Sequence, residues 1–286
     1  MAEVGEKGRV NALIARVGGW FAIRDRIARW QYVALLVVPI ALTLLLWQAL
    51  TSGPPEERTI AYTILPSPTE VVGEFPSLWM GDATRKPFIY QVGRSGWRIL
   101  LSFAIACAVA LPIGFGMGAF ERVRAFFHPL ALVGGYLPIP ALVPLTMSIF
   151  GTDEKQKVVF LSIAFFVYLL PLVIQAVDKV DQVYLQTAYT LGASTWQALT
   201  RVLVSIAWED VYRAMRLGFG VGWSYILLVE MLVLDGGIGE VVFLSQRRGP
   251  REHIYLTLAA IVLIAFATDK LWSWGERALF PYRRRA

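Results

Sequence analysis

Ionisable side chains inside apolar stretches are costly to bury, so they persist where they are paired or used, and they are the first candidates for chemistry. Two stand out here, Glu230 and Asp269. Glu230 closes an apolar run shortly before Asp235, where it suits a gate on a solute path, a contact with an external protein, or a simple pair with Arg247 or Arg248. Asp269, beside Lys270, reads as a charge pair at a membrane interface. Catalytic groupings are missing. The only histidines are His128 and His253, and no H-E-x-x-H or Cys/His cluster of metal-ligand spacing occurs. The sequence has no G-x-x-x-x-G-K-[ST] phosphate loop. Cys107 is the single cysteine, so no disulfide framework exists.

The elements that carry these residues follow from composition. The chain of 286 residues is 56% hydrophobic and 17% charged, with mean hydropathy +0.55. That excess of apolar side chains exceeds what one water-soluble core can hide, and a bilayer is its natural solvent. A helix crosses a bilayer with about 20 apolar residues. Six runs qualify: 32–50, 99–120, 126–150, 158–177, 217–234 and 254–272. The expected fold class is an all-α membrane protein, with a cytoplasmic segment 1–31 and a membrane domain 32–286. The net charge of +6 resides at helix ends rather than on one face, which argues for topology and against nucleic acid. Lys7, Arg9, Arg16, Arg24, Arg26 and Arg29 precede the first run, Arg122 and Arg124 lie between the second and third, and Arg283 to Arg285 end the chain. The positive-inside rule then puts both termini in the cytoplasm, against the dissent of Arg247, Arg248 and Arg251 in a loop assigned outside.

Ile14, Val17, Trp20, Phe21, Ile23, Ile27 and Trp30, interleaved with basic residues, predict an amphipathic helix lying on the inner membrane surface. Pro68 or Thr69 begins a short helix with Val71, Val72 and Phe75 on one face. Gly114, Gly116 and Gly118, like Gly218, Gly220 and Gly222, give faces for close helix packing. Pro138, Pro140 and Pro144 break the third run, and irregular backbone at membrane depth survives only where protein or a water-filled cavity covers it. The third run reads either as a kinked structural helix or as part of a solute path, and for a path the candidates are Pro138, Pro140, Thr146, Ser148, Ser224 and Glu230.

Between the fourth and fifth runs, residues 178–216 are too polar to cross a membrane yet strongly patterned. Val180, Tyr184, Ala188 and Leu191 recur at helical spacing, Gly192 interrupts, and Trp196, Leu199, Leu203 and Ile206 resume it. Ser194 and Gln197 have the spacing of a capping box, which marks a new helix start. Two short amphipathic helices hinged at Gly192-Ala193 are predicted.

The run Gln186-Thr187-Ala188-Tyr189-Thr190-Leu191-Gly192-Ala193-Ser194-Thr195-Trp196 resembles the EAA loop of ATP-binding cassette (ABC) importer permeases of type I. Leu65-Pro66-Ser67-Pro68, Pro138-Ile139-Pro140 through Leu145, Arg216-Leu217-Gly218, Glu230-Met231 and Gly236-Gly237-Ile238-Gly239 extend the likeness along the chain, toward the nitrate, sulfonate, taurine and bicarbonate branch. The resemblance implies a bacterial inner-membrane importer subunit with a coupling helix between helices 4 and 5. It implies as partners two ATPase subunits that bind ATP and Mg, a second permease copy, an external solute-binding protein and membrane lipid, with no cofactor in this chain. By the same resemblance Gln186, Ala188, Leu191, Gly192, Ala193, Ser194 and Trp196 contact the ATPase. Three departures stand against the pattern: Gln186 takes the place of an acidic residue, Val204 to Asp210 replaces a proline-containing stretch, and Gln175-Ala176 stands where Asn-Thr is common. The competing reading is an ion-coupled secondary transporter or channel, which would want buried carboxylates and an inverted repeat.

Overall fold

Long apolar stretches free of breakers become helices, since a backbone without water must satisfy its own hydrogen bonds. The computed structural model describes residues 27–54, 58–62, 64–81 and 86–281, and among them every regular element is helical. Most of the expected N-terminal surface helix, and the basic stretch Arg283 to Arg285, lie outside the described residues. The chain divides into two units, ending at Pro68 and starting at Thr69. The first holds α1 (Arg29–Thr51), apolar on all sides, and the Trp47 indole that donates to Pro66 O at 2.9 Å. A helix without a polar face suits lipid on every side.

α2 (Pro68–Gly73) begins at the boundary, and the second unit contains the rest of it with α3 (Phe75–Met80), α4 (Phe88–Ala119), α5 (Glu121–Tyr136), α6 (Leu142–Phe150) and α7 (Glu154–Asp178). They are followed by α8 (Gln182–Thr190), α9 (Thr195–Leu232), α10 (Ile238–Arg247) and α11 (Glu252–Leu279). Pro68 begins α2 as expected, but Val71 alone of its proposed face is buried, while Val72 and Phe75 are exposed. Five helices, α1, α4, α7, α9 and α11, are long and apolar enough to cross a bilayer. The expected third span is two rods: α5 and α6 meet at 89°, joined by a 3₁₀ turn over Ile139–Ala141. Pro138, Pro140 and Pro144 withhold the backbone donors that a straight helix would need there.

The core runs between α4, α7 and α9. Phe103 meets Phe165 and Phe219 edge-on, with ring centroids at 5.2 and 5.1 Å, and Ile99, Phe160, Leu169, Val211 and Ile226 fill the space around them. Glycines let the backbones approach. A Cβ on Gly114 would lie 2.5 Å from Val173 Cγ1, on Gly118 2.4 Å from Val177 Cγ1, and on Gly222 2.4 Å from Phe165 Cζ, whereas Gly220 faces open space. Gly222→Val is therefore expected to destabilise the bundle by about 1–3 kcal/mol through overpacking, with Gly220→Ala close to neutral. Thermal unfolding of the two variants in detergent measures the difference; equal melting temperatures would refute this packing role.

The helices run beyond their apolar windows because charged ends continue them. α4 starts eleven residues before the expected 99, at Phe88, and takes in Arg94 and Arg98. α9 fuses the second half of the coupling region to the fifth span, with a π-helical stretch at Ala198–Leu203. The sequence Val204 to Asp210 is helical throughout, which is the continuous exit that the missing proline predicts.

Candidate functional site

Two places concentrate exposed or charged side chains. The first is the elbow between α8 and α9. Asp181 caps α8 by accepting from the Val183 amide at 3.0 Å. At the other end Gly192 N–H donates to Tyr189 O at 2.9 Å and Ala193 N–H to Ala188 O at 3.0 Å, the paired bonds of a Schellman ending. That ending requires a left-handed residue, and Gly192 supplies φ +83°. The chain turns at once into α9, where Ser194 and Gln197 close the expected capping box: Gln197 N–H donates to Ser194 Oγ at 3.3 Å and Ser194 N–H to Gln197 Oε1 at 2.9 Å.

The result is a corner capped on both sides that carries bare apolar side chains. Leu191 is 82% and Trp196 70% exposed, and Val183, Tyr184 and Tyr189 are exposed beside them. Gln186 and Ser194 are also exposed, and Ala188 and Ala193 half-buried, so all seven residues expected to contact an ATPase share this corner. Its underside is anchored by Val180, Leu185 and Leu199, which pack on the bundle core. Exposed clusters of this kind mark contact surfaces.

The second place is a network of charges at the end of the bundle where α9 meets α10. Arg98 is 1% exposed. Its guanidinium donates to Glu230 Oε1 at 2.6 Å, to Glu154 Oε2 at 2.7 Å, and to the carbonyls of Asp235 and Gly236 at 2.8 and 2.7 Å. A second bond to Glu154 makes that contact bidentate, and Arg94 reaches the same carboxylate. Glu230, fully buried, also accepts from Ser95 Oγ at 2.8 Å and the Gly239 amide at 2.9 Å. Gln91 and Ser95 in turn accept from the Gly237 and Ile238 amides at 2.6 and 2.9 Å. Gly237 has φ +114°, and a Cβ there would sit 2.3 Å from the Glu230 carboxyl carbon, so glycine is required on both counts.

This geometry corrects two pairings. Glu230 pairs with Arg98, not with Arg247 or Arg248, because the loop after α9 folds its backbone over α4 and brings that helix against the carboxylate. Asp269 pairs with Arg216 of α9 at 2.6 Å rather than with Lys270, whose ammonium lies over the Phe266 ring. Glu276 ties the same two helices through Arg213 at 2.7 Å.

The six residues expected on a path do not share one surface. Pro138, Pro140, Ser148 and Ser224 are exposed. Thr146 and Glu230 are buried, and Thr146 Oγ1 bonds the carbonyls of Leu142 and Val143 and receives the Gln156 amide at 3.0 Å. Sequence reasoning overlooked Arg94, Arg98, Glu154 and Lys157. The signal was present as a polar stripe at helical spacing, Gln91, Ser95, Arg98 and Ser102, leading into the second apolar run.

A family model described as "Binding-protein-dependent transport system inner membrane component" matches residues 108–274, more than half of the chain. The taurine transport system permease protein TauC of Escherichia coli (strain K12) is 27% identical over 268 residues, covering 91% of this chain and 95% of that protein. The nitrate import permease protein NrtB of Synechococcus elongatus is 23% identical over 263 residues, covering 87% and 90%. Among solved structures, an inward-facing form of the MetNI methionine ABC transporter superposes with a TM-score of 0.61 at 15% identity, over 71% of this chain and 98% of that one, a likeness of fold. The chain belongs to the binding-protein-dependent transport system inner membrane components, the permease subunits of ABC importers.

Proposed function

We propose that separate ATPase subunits drive this permease through the α8–α9 elbow, and that it conducts a small solute with an anionic group, of the sulfonate, taurine, nitrate or bicarbonate type. Two copies of the chain form the path, each gripped by one ATPase that binds ATP and Mg, and an external binding protein delivers the solute. Both termini face the cytoplasm, which puts the elbow on the same side as the motor. One observation carries the reading: Leu191 and Trp196 stand bare on a corner whose backbone is closed by caps on both sides. A corner so fixed has a surface to dock and a helix to move.

Large apolar side chains at the centre of an interface contribute about 2 kcal/mol or more each, roughly thirtyfold in affinity. The double variant Leu191→Asp, Trp196→Asp is thus expected to lose its ATPase. Affinity purification of the wild-type chain in mild detergent should bring down a stoichiometric ATPase, and the double variant less than about a tenth of it. Equal recovery would remove the elbow from the contact.

A further inference from the structure

Beside the Arg98 network lies a cleft of about 290 Å³ between the head of α4 and the start of α10, lined by Lys86, Tyr90, Gln91, Arg94, Asp235 and Glu240 among others. The charges of the network itself balance. Arg94, Arg98 and Lys157 face Glu154, Glu230 and Asp235, three cations against three carboxylates in linked contact. Among the described residues that line the cleft, one cation and one carboxylate remain outside that balance, Lys86 and Glu240. They form no ion pair with each other or with another residue among those described. The Lys86 ammonium is held over the Tyr90 ring, 4.4 Å from its centroid, and donates to the phenol oxygen at 3.3 Å. Glu240 is half-buried in the first turn of α10. A concave, polar space with one surplus charge of each sign on different elements is complementary to a solute whose own two charges are separated.

We propose that this cleft binds a small zwitterion, its acidic group on Lys86 beside Arg94 and its ammonium on Glu240. The inference deepens the permease reading, on which it rests for its purpose: among solutes with an anionic group it selects those that also carry an amine. On the proposed topology the cleft opens to the outside, where solute arrives.

The test uses the full chain alone in lipid nanodiscs, without ATPase or binding protein, and equilibrium binding of labelled 2-aminoethanesulfonate, ethanesulfonate and ethylammonium. The zwitterion should bind at least about tenfold tighter than either half-molecule. Lys86→Ala should weaken it about tenfold or more, and Glu240→Gln should do the same while leaving ethanesulfonate unchanged. Both positions lie outside the balanced network, so unchanged melting temperatures will assign the losses to the cleft. Equal affinity for zwitterion and ethanesulfonate, no saturable binding, or unaltered affinity in both variants would overturn the proposal. None of these results bears on the elbow, whose ATPase-recovery test is separate.

Discussion

Solute uptake is expected to fall at least about tenfold in a Gly192→Val variant, while the amount of folded permease in the membrane stays near that of the wild type. The reason lies in the backbone. Gly192 has φ +83°, a conformation that a β-branched residue enters at a cost of about 1–3 kcal/mol, and about 1.4 kcal/mol is a tenfold change in an equilibrium. The elbow is expected to relieve that strain by opening, at the expense of the Schellman bonds to Ala188 and Tyr189 and of the placement of Leu191 beside Trp196. Nothing lies within 4 Å of a Cβ built on Gly192, so the substitution clashes with no neighbour and the bundle keeps its packing. Gly192→Asn should retain most uptake, since asparagine tolerates the left-handed region. Uptake and quantitative membrane immunoblots of the two variants decide the matter, and full uptake by the valine variant would contradict the coupling role.

The second large effect is on stability. Removing one partner of a buried ion pair leaves the other charge without compensation, at a cost of about 3–5 kcal/mol. Arg98→Ala strands Glu230, which is fully buried, and also releases Glu154 and the carbonyls of Asp235 and Gly236. The variant is expected to melt far below the wild type in detergent and to accumulate poorly. The double variant Arg98→Met, Glu230→Gln removes both buried charges at similar volume and should recover more than half of the lost stability. A single variant as stable as the wild type would show that the pair is dispensable; a double variant no better than the single would show that lost packing, not stranded charge, sets the cost.

Local signals make the elbow legible in the sequence. Ser194 and Gln197 announce a helix start by their spacing alone, and Gly192 between two apolar periodicities announces a helix end, because caps depend on residues three or four apart. The apolar runs likewise locate the spans, as a bilayer sets their length. The 89° bend between α5 and α6 is legible only as a break: prolines remove donors, but the direction of the turn depends on packing. The partner of Glu230 is not legible, because Arg98 lies 132 residues away and only the folded loop at Asp235–Gly237 brings them together. Charge pairs at that separation leave no local pattern, so Arg247 and Arg248, nearer in sequence, are the partners that spacing suggests.

On the proposed coupling, α9 is the element that carries motion to the far side. Its 38 residues span about 57 Å at 1.5 Å per residue, well beyond the roughly 30 Å of bilayer hydrocarbon. α1, α4, α5 and α7 each contain a proline, whereas α9 contains none. A helix of that length is a lever arm: a tilt of about 10° about its midpoint carries each end through about 5 Å. On the proposed coupling, a stroke delivered at Trp196 arrives at Glu230, toward the opposite tip, along one continuous helix.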